Sequence, residues 1–104
     1  MALFNVKIPP AGVAFKFRSD KDPSDVVDYE LDFTSILQAD SISTATVTGD
    51  NLTIDSSSVS GKKVTLFVSG GDAGNQGVVT TKIVTTNATP RTIERSFVIK
   101  VKEL

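Results

Sequence analysis

The sequence contains no cysteine, no histidine and no tryptophan. Without cysteine there are no disulfides and no thiolate zinc sites, and without histidine the Ser-His-Asp and Cys-His nucleophile arrangements are excluded. A serine or threonine nucleophile would need lysine or a carboxylate as its base, and the spacing of the lysines pairs none of them with a particular serine. We therefore expect a protein that is not an enzyme and that binds no cofactor.

A large excess of one charge and long apolar runs are also absent. The chain of 104 residues has 11 Lys and Arg against 12 Asp and Glu, a formal net charge of −1. This balance favours neither nucleic acid nor an anionic membrane as a partner. No apolar run reaches the length of a signal-peptide core or of a membrane span, so we expect synthesis in the cytoplasm.

The abundant residues are the β-branched ones: 13 Val, 12 Thr and 7 Ile, against 7 Ala and only 3 Glu. Stiff β-branched side chains favour the pleated surface of a strand over a helix. The clearest strand is residues 27–33, where apolar residues at odd positions alternate with acidic residues at even positions. Residues 64–68, 78–86 and 92–102 are further strand candidates, and residues 34–40 suggest one helical turn.

Six or seven short strands at near-regular spacing predict an all-β fold. We expect an immunoglobulin-like antiparallel β-sandwich of about seven strands, with a small barrel as the alternative. The inward positions of the predicted strands should form one core between two sheets. They are Tyr29, Leu31, Phe33, Leu66, Val68, Ile83, Phe97 and Ile99.

Residues 1–18 form an N-terminal arm or edge strand, and residues 19–104 the predicted sandwich domain. Phe4, Val6 and Ile8 alternate with polar residues, and the pair Pro9-Pro10 ends this pattern. Such a short segment cannot bury its own apolar face. It either supplies the first edge strand of this domain or docks on a neighbouring protein.

Two groups of acidic residues deserve a chemical interpretation. Asp28, Glu30 and Asp32 share one strand face about 6–7 Å apart, a spacing that matches paired carboxylates in glycosidases but also a solvated strand face. Asp20, Asp22 and Asp25 lie in one polar turn and offer oxygen ligands to calcium. This turn lacks the glycine and the distal glutamate of the twelve-residue calcium loop, so we expect no metal site.

Charge is divided along the chain. Residues 20–55 hold nine acidic residues and one lysine, whereas residues 56–102 hold seven basic residues and two acidic ones. If these halves lie on different surfaces, the domain is a dipole that associates head to tail; if they lie side by side, they neutralise each other within one monomer.

Five stretches of the chain together form a recognisable pattern: they are Lys21-Asp22-Pro23-Ser24-Asp25-Val26-Val27-Asp28-Tyr29, Asp40-Ser41-Ile42, Val68-Ser69-Gly70-Gly71-Asp72-Ala73-Gly74, Ile83-Val84-Thr85-Thr86 and Arg95-Ser96-Phe97-Val98-Ile99-Lys100-Val101. In this order they resemble the small virion proteins known as fibre–tail adaptors of tailed bacteriophages. The similarity spans about residues 21–102 and leaves out the N-terminal arm.

This resemblance implies a structural component of a virion that is made in the host cytoplasm. Its partners would be other tail or fibre proteins, and it would be a homo-oligomer in the particle. A head decoration (cement) protein and a carbohydrate-binding or adhesion module of immunoglobulin type remain the alternatives. The candidate assembly contacts are Phe4, Val6, Ile8, Asp28, Glu30 and Asp32.

Overall fold

The computed structural model describes residues 4–10 and 12–104 and contains two four-stranded β-sheets. Residues 1–3 and 11 of the predicted N-terminal arm lie outside the described residues. In chain order the elements are β1 (Phe4–Lys7), β2 (Arg18–Lys21), β3 (Val27–Asp32), α1 (Thr34–Leu37), β4 (Ile42–Asp50), β5 (Thr53–Ser60), β6 (Lys63–Ser69), β7 (Gln76–Thr85) and β8 (Thr92–Val101).

The first sheet has the strand order β1-β3-β6-β5, and the second has the order β2-β8-β7-β4. The molecule is elongated along the strands, with extents of 45 × 25 × 22 Å. An all-β architecture of two sheets is confirmed. Within the described part of the chain no helix is long and apolar enough to cross a membrane.

The prediction of a purely antiparallel sandwich was wrong at two strand pairs. β1 runs parallel to β3, and β2 runs parallel to β8, so that both sheets are mixed. The chain leaves β1 in one sheet and enters β2 in the other, and neither strand reaches its partner through a hairpin. Alternation of apolar residues indicates a strand but carries no information on its direction, since direction depends on the connection.

The predicted core residues are all buried between the two sheets. Five aromatic side chains meet at one side of this core. The rings of Phe4 and Tyr29 stack at 5.1 Å, and Tyr29 lies 5.2 Å from Phe97. Phe17 contacts both Tyr29 and Phe97, and Phe15 reaches the edge of Phe97. We call Phe4, Phe15, Phe17, Tyr29 and Phe97 the aromatic cluster.

The helical turn predicted after the third strand is confirmed as α1. Its apolar residues Ile36 and Leu37 are buried and belong to the hydrophobic core. The second strand lies at the boundary between the predicted N-terminal arm, residues 1–18, and the predicted sandwich domain. It begins at Arg18 and continues through Lys21 because this stretch forms a ladder with β8.

Candidate assembly surfaces

The three apolar residues predicted as assembly contacts lie on and beside β1. Val6 and Ile8 are only 2% and 1% exposed, and Phe4 is partly buried against Tyr29. The N–H of Ile8 donates to the carbonyl of Asp32 at 2.9 Å, so the ladder continues past the end of β1. This chain's own core thus covers the apolar face of the segment, and contacts of these residues with a partner stay a prediction.

The three acidic residues of β3 point to the outer face of the first sheet and are half-buried. Glu30 lies 3.6 Å from the ammonium of Lys63 on the neighbouring strand. Asp32 accepts hydrogen bonds from the backbone and hydroxyl of Thr34, and these lower the pKa of the Asp32 carboxyl despite its partial burial. The acidic face is therefore solvated and partly neutralised by lysine, and its role in assembly stays a prediction.

The strand register places many acidic residues at one end of the long axis. The β2–β3, β4–β5 and β6–β7 loops and residues 102–104 meet there. Eight acidic residues lie at this acidic end, against the basic Arg18, Lys21, Lys100 and Lys102: they are Asp20, Asp22, Asp25, Asp28, Asp50, Asp55, Asp72 and Glu103.

The opposite end carries an excess of positive charge. The segments after β3, β5 and β7 meet there. Six basic residues lie at or near this basic end: Lys7, Lys62, Lys63, Lys82, Arg91 and Arg95. They are opposed by the acidic Asp32, Asp40 and Glu94. The division of charge seen along the sequence thus becomes a division along the molecule's long axis.

A buried lysine organises the loops of the acidic end. The Lys21 side chain is fully buried, and its ammonium donates to the carbonyls of Asp22 and Gly70 at 2.9 and 2.8 Å. Burial lowers the pKa of Lys21, although the nearby aspartates oppose this shift. Gly70 and the following Gly71 both have positive φ, which glycine adopts without strain. The burial of Lys21 could not be seen in the sequence, because the Ser, Asp and Pro residues around it indicated a polar turn.

Two aspartates of the polar turn, Asp20 and Asp22, hold the same loops. One oxygen of Asp22 accepts from the backbone N–H of Ser24, and the other accepts from that of Leu104. These bonds lower the pKa of Asp22. Asp20 pairs with Lys102 at 3.2 Å. Over residues 4–10 and 12–104, no three acidic side chains are grouped so that they could hold a metal ion.

At the basic end, a buried aspartate ties α1 to the β7–β8 loop. The side chain of Asp40 is 2% exposed and lies 3.4 Å from the guanidinium of Arg91. It also accepts from the backbone of Ser41 and the hydroxyl of Thr86. Burial by itself would raise the pKa of Asp40, but these hydrogen bonds outweigh it and hold the pKa below its ordinary value. Arg91 is therefore fixed at the surface with half of its side chain exposed.

Fold and surface together define a small all-β protein of two mixed sheets, whose two ends carry opposite charge. A family model described as podophage GP4 fiber-tail adaptor protein gp77 matches residues 21–100. The chain belongs to this family of phage fibre–tail adaptors, which confirms the resemblance seen in the sequence. Members of such a family are structural components of the virion that contact other tail or fibre proteins.

Two solved structures resemble the chain over nearly its whole length. The cysteine protease inhibitor EhICP2 from Entamoeba histolytica is 9% identical and has a TM-score of 0.45; the match covers 96% of this chain and 98% of that one. The solution structure of amebosin is 11% identical with a TM-score of 0.36, and covers 95% and 97%. No curated protein sequence matches the chain significantly.

Proposed function

We propose that this protein joins fibre to tail in a tailed-phage virion, as a homo-oligomer that acts only through protein–protein contacts. The match of residues 21–100 to the fibre–tail adaptor family carries this proposal. The protein would be made in the host cytoplasm, with neither membrane nor nucleic acid as a partner. It would have no enzymatic activity of its own.

The charge distribution supports an adaptor that stacks between partners. Opposite charges at the two ends of a 45 Å body steer each end toward a different surface and allow copies to meet head to tail. The side chains of Lys82 and Arg91 at one end, and of Asp25 and Asp72 at the other, are exposed and can take part. Complementary charge would set the orientation and speed of association more than its strength.

We also propose that the sandwich is of immunoglobulin type. The order β1-β3-β6-β5 corresponds to strands A, B, E and D of that fold, and β4, β7 and β8 correspond to C, F and G. The parallel pairing of β1 with β3 departs from this pattern. A stiff sandwich of this kind presents loops and strand edges to partners, which is what an adaptor requires.

The test is to assemble particles from which this chain has been deleted and to image them by cryo-electron microscopy. We expect complete heads and tails that lack fibres, and restoration of the fibres when the purified chain is added. Quantitative gel analysis of intact particles would give more than one copy per particle. Particles that keep their fibres but lose packaged DNA would contradict the proposal and indicate head decoration instead.

A further inference from the structure

Strand β8 is covered on one side over only half of its length. β2 pairs with its second half, from Val98 to Val101. In the described structure the first half, residues 92–97, has β7 as its only ladder partner. In the second sheet, the part of β8 that lies before the first residue of β2 therefore has no ladder partner on this side. We call this part the β8 open edge.

Hydrogen bonds at the covered half show which backbone groups face this side. The N–H of Val98 donates to the carbonyl of Phe17 at 3.4 Å, and the N–H of Lys102 donates to the carbonyl of Lys21 at 2.9 Å. Successive residues of a strand direct their backbone groups to alternate sides, and the register of β8 with β7 runs without a bulge. The N–H and C=O groups that face the β8 open edge are therefore those of Thr92, Glu94 and Ser96.

Two grooves follow the open edge. One, of about 480 Å³, is lined by residues 15–18, 96–98 and Gln76. The other, of about 440 Å³, is lined by Ile36 and residues 91–95. They border consecutive stretches of the same strand, and residues 15–18 form the far wall of the first groove. We call the two grooves together the track.

The track is apolar at its base and basic along its rim. Phe15, Phe17, Ile36, Ile93 and Phe97 supply the apolar surface, and they are partly or fully buried. The charged side chains that line the track are Lys16, Arg18, Arg91, Glu94 and Arg95. Four of these five are basic. A strand with apolar residues toward the base and acidic residues toward the rim would match this lining.

Among the described residues, the side chain of Arg95 hydrogen-bonds to the open edge. The guanidinium of Arg95 donates to the carbonyl of Glu94 at 2.7 Å. Charged side chains over an unpaired edge oppose pairing with an unsuitable chain. An acidic residue on a strand that docks at this edge would attract the guanidinium away from the Glu94 carbonyl. Arg95 would therefore favour acidic partners over others.

We propose that the β8 open edge receives an extended, alternating acidic and apolar strand from another virion protein. This inference rests on the proposed adaptor function and names the surface that one partner occupies. Backbone hydrogen bonds would give affinity, and the alternate side chains would give specificity. A second copy of this chain fits less well: in its exposed edge strand β5, residues 56–60 are Ser-Ser-Ser-Val-Ser and offer no charge to the four basic side chains.

The test uses amide hydrogen exchange of the full, isotope-labelled chain, followed by NMR. The probe is a synthetic ten-residue peptide of alternating valine and glutamate, and its control replaces glutamate by lysine. In the free protein we expect the amides of residues 93, 95 and 97 to be protected and those of Thr92, Glu94 and Ser96 to exchange rapidly. The glutamate peptide should protect the second set, and the lysine peptide should not.

Variants separate charge from backbone pairing. The double change Lys16→Glu and Arg95→Glu should abolish the protection, whereas Lys100→Glu, a charge reversal in the half of β8 that β2 covers, should preserve it. Ser96→Pro removes an N–H that faces the open edge and leaves the ladder to β7, so it should weaken binding in a folded protein.

Three results would overturn the proposal. They are no protection with either peptide, equal protection with both peptides, and protection that appears without peptide as the protein concentration rises; the last would make a second copy the occupant. None of these results depends on the fate of fibres in particles that lack the chain, so failure here is distinguishable from failure of the adaptor role.

Discussion

The two sides of the sandwich are built on different principles. The N-terminal side, formed by β1 and β2, has short strands in parallel ladders whose side chains enter the core. The opposite side, which we call the β4–β5 side, has long strands that pair antiparallel with their neighbours and are mostly exposed. Val6 in β1 is 2% exposed, whereas Val59 in β5 is 39% exposed. The same residue type in two edge strands therefore contributes very different amounts of buried surface.

The difference follows from the size of the side chains near each edge. Phe17 reaches Tyr29 of the opposite sheet, and Phe4 stacks on Tyr29 within its own sheet, so that these rings close the N-terminal side. The β4–β5 side offers mainly Ser and Thr, and its inward residues Ala45 and Val47 are too small to fill the same space. An edge strand becomes part of the core only if its side chains span the distance to the opposite sheet.

Each side also limits unwanted strand pairing in its own way. The edges of the N-terminal side are short and carry charged residues such as Arg18 and Asp20. On the β4–β5 side the edge strands are nearly uncharged, but each contains an irregularity in its ladder. It lies between Ile42 and Thr44 in β4 and between Ile54 and Ser56 in β5. Bulges twist an edge away from a regular partner, and charges discourage pairing directly.

The largest expected effect is at the aromatic cluster. Phe97→Ala should lower the free energy of unfolding by about 3–5 kcal/mol, because Phe97 is 3% exposed and contacts Phe15, Phe17 and Tyr29. The control is Phe67→Ala, which truncates a ring that is 40% exposed on the outer face. Urea unfolding should show a loss for Phe67→Ala well below that for Phe97→Ala; equal losses would contradict the picture of a closed N-terminal side.

A matched pair of substitutions compares the two edges directly. Val6→Ala should lower the free energy of unfolding by about 2 kcal/mol, since it removes two buried methyl groups. Val59→Ala makes the same chemical change at the exposed edge and should cost no more than about 0.5 kcal/mol. If circular dichroism melts show the two variants to be equally stable, β1 does not pack on this core in solution, and docking of the arm on a neighbouring protein gains support.

The smallest expected effect concerns the buried lysine of β2. Because burial lowers the pKa of Lys21 in the folded protein, the unfolded chain binds more protons than the native one between that pKa and the ordinary value of 10.5. Native stability should therefore rise in this window as pH increases. Melting curves between pH 7 and pH 10 should show this rise in the wild type and its loss in Lys21→Met.

The matched control for this measurement is Lys100→Met, which changes an exposed lysine one rung away in the same ladder. It should keep the pH dependence of the wild type. A Lys21→Met variant with an unaltered pH profile would show that burial does not disfavour the charged form of Lys21.

The sequence by itself determined the class of fold and most of the core. The alternation in residues 27–33 placed Tyr29, Leu31 and Phe33 inside, because a period of two leaves one face for the core and one for water. The sequence also predicted the helical turn of α1. Through the resemblance over residues 21–102 it predicted the family. These features depend on local pattern, which is fully contained in neighbouring residues.

Only the tertiary structure decided how the edges are used. The parallel ladders of β1 and β2, the burial of Lys21 and the open half of β8 all depend on contacts between residues distant in sequence. One such contact joins the Lys21 ammonium to the Gly70 carbonyl. Strand periodicity carries no signal for strand direction or strand partner, and so the candidate assembly surfaces emerge only when the two sheets are put together.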